Sequence, residues 1–182
     1  LAVNGEIYNH QALKAALTTT YDFQTGSDCE VINALYRDGS QIGAWLAQLN
    51  GIFAFALWDR AQGRVVIARD HMGICPLYWG HDADGRLWVA SEMKALVRVC
   101  DDVAPFPPGH YYDSADPRCA GAAPIRYYER AWRDYAAVAG VAGDKAELRE
   151  AFERAKVMDH FSIDTSDILT WEEVVAQLFH AT

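Results

Sequence analysis

Gly51-Ile52-Phe53-Ala54-Phe55-Ala56-Leu57-Trp58-Asp59 is apolar on both of its faces. In an extended chain successive side chains point to opposite sides. Ile52, Ala54 and Ala56 therefore share one face, and Phe53, Phe55 and Leu57 share the other. A strand without a polar face is covered on both sides. Residues 60–63 end in Gly63 and read as a turn into a second apolar run, 64–69, so the two runs form a hairpin. A second hairpin is expected from residues 76–80 and 86–90 around Asp82-Ala83-Asp84-Gly85, a strong turn signal. With helices early in the chain, these strands predict two stacked sheets covered by helices, an α/β (α+β) fold.

Outward from that core, Asn9 is placed to cap a helix over residues 10–17, with Ala12, Leu13, Ala16 and Leu17 on one face. Residues 21–24 are a short strand candidate. Ser27-x-x-Glu30 has the form of a capping box and opens a helix with Val31, Ile32, Leu35 and Tyr36 as its buried stripe. Residues 42–49 read as another helix, around Trp45, Leu46 and Leu49. Ser91 is expected to cap a helical turn over 92–96. Pro105, Pro107 and Pro108 suggest a stiff connector, and 110–113 and 125–128 are the last strand candidates.

This divides the chain into a main domain, residues 1–130; an alanine- and glycine-rich linker, 131–143; a helix, 144–157, opened by Asp144-x-x-Glu147; and a tail, 158–182. The tail contains Thr170-x-x-Glu173 before an amphipathic run. The opening strand, apolar from Leu1 onward, reads as the middle of a sheet and as part of something longer.

The formal net charge of −9 argues against nucleic acid or an anionic membrane as partner, since both call for basic patches. No apolar run is long enough to span a bilayer, and no secretory leader pattern opens the chain. Cys29, Cys75, Cys100 and Cys119 fit no zinc spacing and are expected to be free thiols of a cytoplasmic protein. No metal or cofactor is expected in this chain.

The chemistry gathers at two stretches. Leu1-Ala2-Val3-Asn4-Gly5-Glu6 runs from an apolar strand into what reads as a tight polar turn, and Gly26-Ser27-Asp28 opens a helix. Together they offer an amide, exposed backbone N–H groups and two carboxylates at element ends. That set suits one wall of a pocket for an amino acid, because a carboxylate matches an ammonium through charge-assisted hydrogen bonds. Asn-Gly is also an ordinary turn pair, and Asp28 also suits a plain helix cap. Arg69-Asp70-His71 reads as a structural strand end.

In order along the chain, several stretches resemble the class II glutamine amidotransferase domain of asparagine synthetase. They are Asn4-Gly5-Glu6-Ile7-Tyr8-Asn9, Gly26-Ser27-Asp28-Cys29-Glu30, Gly51 to Asp59, Arg69-Asp70-His71-Met72-Gly73-Ile74-Cys75-Pro76-Leu77-Tyr78, Ser91-Glu92-Met93-Lys94-Ala95-Leu96 and Phe106-Pro107-Pro108-Gly109. The resemblance spans roughly residues 1–157 and is specific because many motifs agree in order. It implies an Ntn-type four-layer α/β/β/α sandwich, here incomplete, with a C-terminal helical extension.

It further implies that glutamine hydrolysis supplies ammonia for ATP-dependent conversion of aspartate to asparagine. In that family Asn4 and Gly5 match the oxyanion hole, and Asn4, Gly5, Glu6 and Asp28 match glutamine contacts. L-glutamine and a synthetase domain are the implied partners, with ATP and Mg2+ belonging to the synthetase domain. The resemblance leaves room for a homodimer of the full-length enzyme.

Two departures accompany it. The family's N-terminal cysteine nucleophile and a substrate-gripping upstream arginine have no match here. Cys29 cannot replace the nucleophile, because it lacks a free α-amine. The family's Ser-Gly-Gly-x-Asp-Ser loop has no match in residues 158–182 either, so no ATP site is expected. The isolated chain is therefore expected to be catalytically inactive. The alternatives are a non-catalytic module that binds glutamine weakly or self-associates, and another class II amidotransferase.

Overall fold

A computed structural model of the chain describes residues 1–39, 41–121, 123–129, 144–146 and 149. The two-faced run forms β2 (Gly51–Asp59) over its whole length. It pairs antiparallel with β1 (Ala2–Ile7) on one side and β3 (Arg64–Arg69) on the other. β7 (His110–Asp113) and β8 (Ile125–Arg126) complete a five-stranded sheet in the order β1-β2-β3-β7-β8.

One face of β2 carries Phe53, Phe55 and Leu57 into a cluster with the helices α1 (His10–Ala16), α2 (Val31–Arg37) and α3 (Ile42–Leu46). Trp45 stacks on Phe55 with ring centroids 6.2 Å apart. Val31 and Ile32 of α2, like Trp45, have no exposed surface. The spacing of these apolar positions makes the helices, and their burial holds them. A fully buried side chain of this size contributes about 1.5–3 kcal/mol, and truncating Phe55 to alanine is expected to cost about 3–5 kcal/mol.

The opposite face of the sheet, Ala54 and Ile67, packs on Cys75, Leu77, Trp79 and Phe106. Trp79 belongs to β4 (Tyr78–His81), the centre of a three-stranded antiparallel sheet with β5 (Leu87–Ala90) and β6 (Asp102–Pro105). One turn of helix, α4 (Met93–Leu96), packs against this second sheet and buries Leu96. The order of layers is helix, sheet, sheet, helix, the Ntn-type sandwich, with a fourth layer of a single turn.

Several local expectations are corrected. Asn4-Gly5-Glu6 is not a turn, because β1 continues through it to Ile7. Among the described residues β1 is the end strand of its sheet, with Leu1 and Val3 exposed. Asn9 does not cap α1 with its side chain. Its amide instead donates to the Gln48 carbonyl at 2.8 Å and accepts from the Asn50 N–H at 3.0 Å, tying the end of β1 to the loop before β2. Ala12 and Ala16 are exposed, leaving Leu13 as the buried residue of α1.

Residues 21–24 form no strand. The Ser27–Glu30 box does not close. A 3-10 turn, Asp28–Glu30, comes first, and Glu30 turns back to the Gln24 and Thr25 N–H groups at 2.7 and 2.8 Å. Ser91 is not the cap of α4; that position is Glu92. Residues 102–105, overlooked beside the prolines, form β6; Pro105 closes the strand, where a missing N–H costs little.

The chain separates into two compact units, residues 1–134 and 135–182. In the second, the Ala146 N–H donates to Asp144 Oδ1 at 2.8 Å, the cap expected of that position. The whole of the predicted linker 131–143, Glu147, most of the rest of the 144–157 helix and the 158–182 tail lie outside the described residues.

Candidate functional site

The site grows from the ladder parity of β1 and β2. The Asp70 N–H donates to the Phe53 carbonyl at 2.7 Å, so the backbone polar groups of Phe53 face β3. Gly5 pairs with Phe53 on the other side. That makes Gly5 and Phe53 a close, non-hydrogen-bonded pair, in which the backbones approach to about 4.5 Å. A Cβ on Gly5 would meet the Ile52 carbonyl oxygen at 2.0 Å and Phe53 Cα at 2.7 Å, and Gly5 has φ 137°. Only glycine fits there.

The same parity turns the N–H and C=O of Gly5 away from β2, toward the outer edge of the sheet. The carbonyl accepts the Cys29 thiol at 3.4 Å. Ile7 shares the orientation, and its N–H donates to Asp28 Oδ2 at 2.5 Å. Asp28 is thereby fixed beside the edge of β1, although the two lie 21 residues apart. Asn4 and Glu6 point to the alternate face, paired with Ala54 and Ile52, and are exposed at the rim between the sheets. Gly5 and Asp28 are thus joined through Cys29 and Ile7, while Asn4 and Glu6 flank Gly5 on the other face.

The electrostatics favour a fixed anion and neutral thiols. Burial opposes ionisation of Asp28, but the N–H groups of Ile7, Asp28 and Cys29 outweigh it and hold the carboxyl below its ordinary range. The Cys29 thiol is pushed up to about 12 by burial first and the neighbouring Asp28 second. Burial also raises Cys75 and Tyr8. Cys29 therefore serves as a thiol donor to backbone and not as a thiolate.

An outward backbone N–H and a carboxylate at the strand edge, with a side-chain amide and a second carboxylate on the neighbouring positions of the same strand, are groups of the kind that receive a developing oxyanion and an ammonium group. Among the described residues no cluster of three or more His, Cys, Asp or Glu is placed to hold a metal ion. No helix among them is long and apolar enough to cross a membrane.

Two clefts lie elsewhere. One, of about 900 Å³, lies between Tyr36, Arg37, Trp58 and Arg64; the other, of about 480 Å³, is lined by Asp113, Arg118 and Tyr127. Between them Arg64 grips Asp113 with two hydrogen bonds of 2.8 and 2.6 Å, and Tyr36 donates to Asp59 at 2.9 Å. This is a cross-link between β3 and β7, and none of Asn4, Gly5, Glu6 or Asp28 lines either cleft.

The sequence reading missed the role of Cys29 as a bridge to Gly5. It treated Arg69-Asp70 only as a strand end, yet Asp70 is 1% exposed and organises the turn behind Phe53. The available signal was an aspartate followed by Met72-Gly73, since Asp side chains commonly bind the N–H groups just ahead of them.

Residues 1–98 match the family described as glutamine amidotransferase domain. Over 164 residues the chain is 52% identical to asparagine synthetase B [glutamine-hydrolyzing] of Escherichia coli (strain K12), covering 90% of this chain and 28% of that protein. It is 44% identical to asparagine synthetase [glutamine-hydrolyzing] of Zea mays, covering 86% of this chain and 25% of that one. Among solved structures, glutamine phosphoribosylpyrophosphate amidotransferase from B. subtilis superposes with a TM-score of 0.58 at 28% identity, over 71% of this chain and 29% of that one. The chain thus spans about a quarter of the length of these relatives. The family match over residues 1–98 and the Ntn-type sandwich agree: this chain belongs to the glutamine amidotransferase domain family.

Proposed function

We propose that this chain is the glutamine-handling part of a glutamine-hydrolysing asparagine synthetase, a cytoplasmic carbon–nitrogen ligase. In this reading Gly5 N–H and the Asn4 amide stabilise the oxyanion formed when the glutamine side-chain amide is attacked. Losing one such donor typically raises the barrier by ~3–4 kcal/mol. Glu6 and Asp28 receive the α-ammonium. Ammonia passes to a synthetase domain, where ATP and Mg2+ activate aspartate, and the full-length enzyme is a homodimer.

The observation that carries the reading is the Asp28 carboxylate held by the Ile7 N–H beside an outward-facing Gly5. Because none of Cys29, Cys75, Cys100 and Cys119 carries a free α-amine to serve as base, the 182-residue chain alone is expected to bind glutamine without turning it over. Glutamate release tests this. Robust turnover abolished by Asp28→Ala would contradict it, and no glutamine binding at millimolar concentration would remove the pocket assignment.

A second reading, another class II amidotransferase, is favoured only by the B. subtilis superposition. The higher identity to the asparagine synthetases weighs against it.

A further inference from the structure

We propose that Asp70 is a positioning residue for the glutamine site, holding Gly5 in place through Phe53; this rests on the reading of Asn4, Gly5 and Asp28 as the glutamine contacts. The backbone leaves β3 at Asp70, where the ladder with β2 would otherwise continue. The Asp70 N–H still completes its half of the ladder, donating to the Phe53 carbonyl at 2.7 Å. The Asp70 carbonyl does not return the bond, because it accepts from Gly73 and Gly109 at 3.2 and 2.9 Å. The side chain takes its place. Asp70 Oδ2 accepts from the Phe53 N–H and from the Cys75 N–H, each at 3.3 Å. Oδ1 accepts from Met72, Gly73 and Ile74 at 2.9, 2.6 and 3.2 Å.

Phe53 is thus gripped at both its N–H and its C=O by one residue. Gly5 has no clearance against Phe53 or the peptide that precedes it: a would-be Cβ lies 2.7 Å from Phe53 Cα and 2.0 Å from the Ile52 carbonyl oxygen. A shift of Phe53 is therefore a shift of Gly5 and of the peptide edge that faces the substrate. Misplacement of a binding group by about an ångström is enough to cost a large factor in reactivity. Arg69, next in sequence, serves the same turn differently. Its guanidinium donates to the carbonyls of Cys75, Phe106 and Gly73, each at 2.8 Å, and to nothing on Phe53.

The two neighbours therefore separate turn order from Gly5 position. Asp70→Asn keeps one acceptor oxygen. Three loop amides hold that oxygen, so the new NH2 faces the Phe53 and Cys75 N–H groups. Arg69→Lys loosens the turn and leaves both Phe53 contacts.

The test is residue-resolved amide hydrogen exchange on the full 182-residue chain, with glutamine titration of the same samples. For Asp70→Asn we expect exchange at Phe53, and at Asn4 and Glu6 flanking Gly5, to quicken about tenfold or more. Glutamine affinity should fall about tenfold, equivalent to 1.4 kcal/mol. Trp79 and Val89, paired in the second sheet, should exchange as before. Arg69→Lys should quicken exchange in the 72–75 turn and leave Asn4 and Glu6 unchanged. Unchanged Asn4 and Glu6 exchange in Asp70→Asn overturns the proposal, and so does an equal quickening at Trp79 and Val89. If the unaltered chain binds no glutamine, the functional reading fails, while the exchange pattern still decides the brace.

Discussion

Asp70 and Asp28 lie on opposite sides of the β1–β2 pair and do opposite things. Asp70 is sealed, and its carboxylate collects N–H groups from Phe53, Met72, Gly73, Ile74 and Cys75. Asp28 is half-buried, takes the Ile7 N–H from across the chain, and lies along an open strand edge. A carboxylate saturated by backbone amides is a building element; one held in place with lone pairs to spare can receive a ligand.

Removing the sealed side should do the most damage. Asp70→Ala removes the side-chain acceptor of the buried Phe53 and Cys75 N–H groups and of the Met72, Gly73 and Ile74 N–H groups of the turn, and each buried group left unsatisfied costs about 1–3 kcal/mol. We expect a loss of about 4 kcal/mol in urea unfolding; a loss under about 1 kcal/mol would dissolve the contrast between the two aspartates.

Next comes Gly5→Ala. The added Cβ has no room against Ile52 and Phe53. Strain and lost pairing are expected to cost about 3 kcal/mol and to abolish glutamine binding, both read from one denaturation and titration series. A variant of native stability would show that β1 can move, and that Gly5 is not fixed by Phe53.

On the open side the balance reverses. Asp28→Asn is expected to weaken glutamine binding about tenfold with a smaller change in stability. That change has a defined pH sign. The Asp28 carboxyl is lowered in the folded chain, so its stabilisation is present above the unfolded carboxylate value and is lost as pH falls through the folded one. The stability gap between the unaltered chain and Asp28→Asn should therefore be open near neutral pH and close below about pH 4. A gap that widens in acid would contradict the account.

The smallest structural effect is expected for Asn4→Ala, an exposed rim position: within about 0.5 kcal/mol in stability, with weaker glutamine binding. A larger loss of stability without a binding change would make Asn4 a packing residue.

Much of the core was legible because it is periodic. The two apolar faces of Gly51–Asp59 required cover on both sides, and the structure supplies α2 and α3 on one and Trp79 and Phe106 on the other. The Asp82–Gly85 turn was legible for the same local reason: Gly85 N–H returns to the Asp82 carbonyl at 2.8 Å. What misled was local pattern whose outcome is set by distant partners. Asn4-Gly5 looks like a turn, and becomes strand only because Phe53 and Ile52 lie alongside. Asn9 and Glu30 look like cap and box residues, but find better partners at Gln48 and Asn50, and at Gln24 and Thr25. Asp70 could not be weighted from sequence, because its value lies in a bond to Phe53, 17 residues away. The candidate site itself came from motif resemblance; the geometry adds that Gly5 and Asp28 meet at the outer edge of β1, with Asn4 and Glu6 on the strand face beside them.

The most direct test of the central claim is a titration of L-glutamine into the chain, followed by backbone amide chemical shifts. The account predicts saturable shifts at residues 4–8 and 27–30, with the Arg64–Asp113 region unmoved, and loss of those shifts in Asp28→Asn. Shifts centred on the Tyr36–Arg64 cleft, or none in residues 4–8, would contradict the assignment of the β1 edge as the glutamine site.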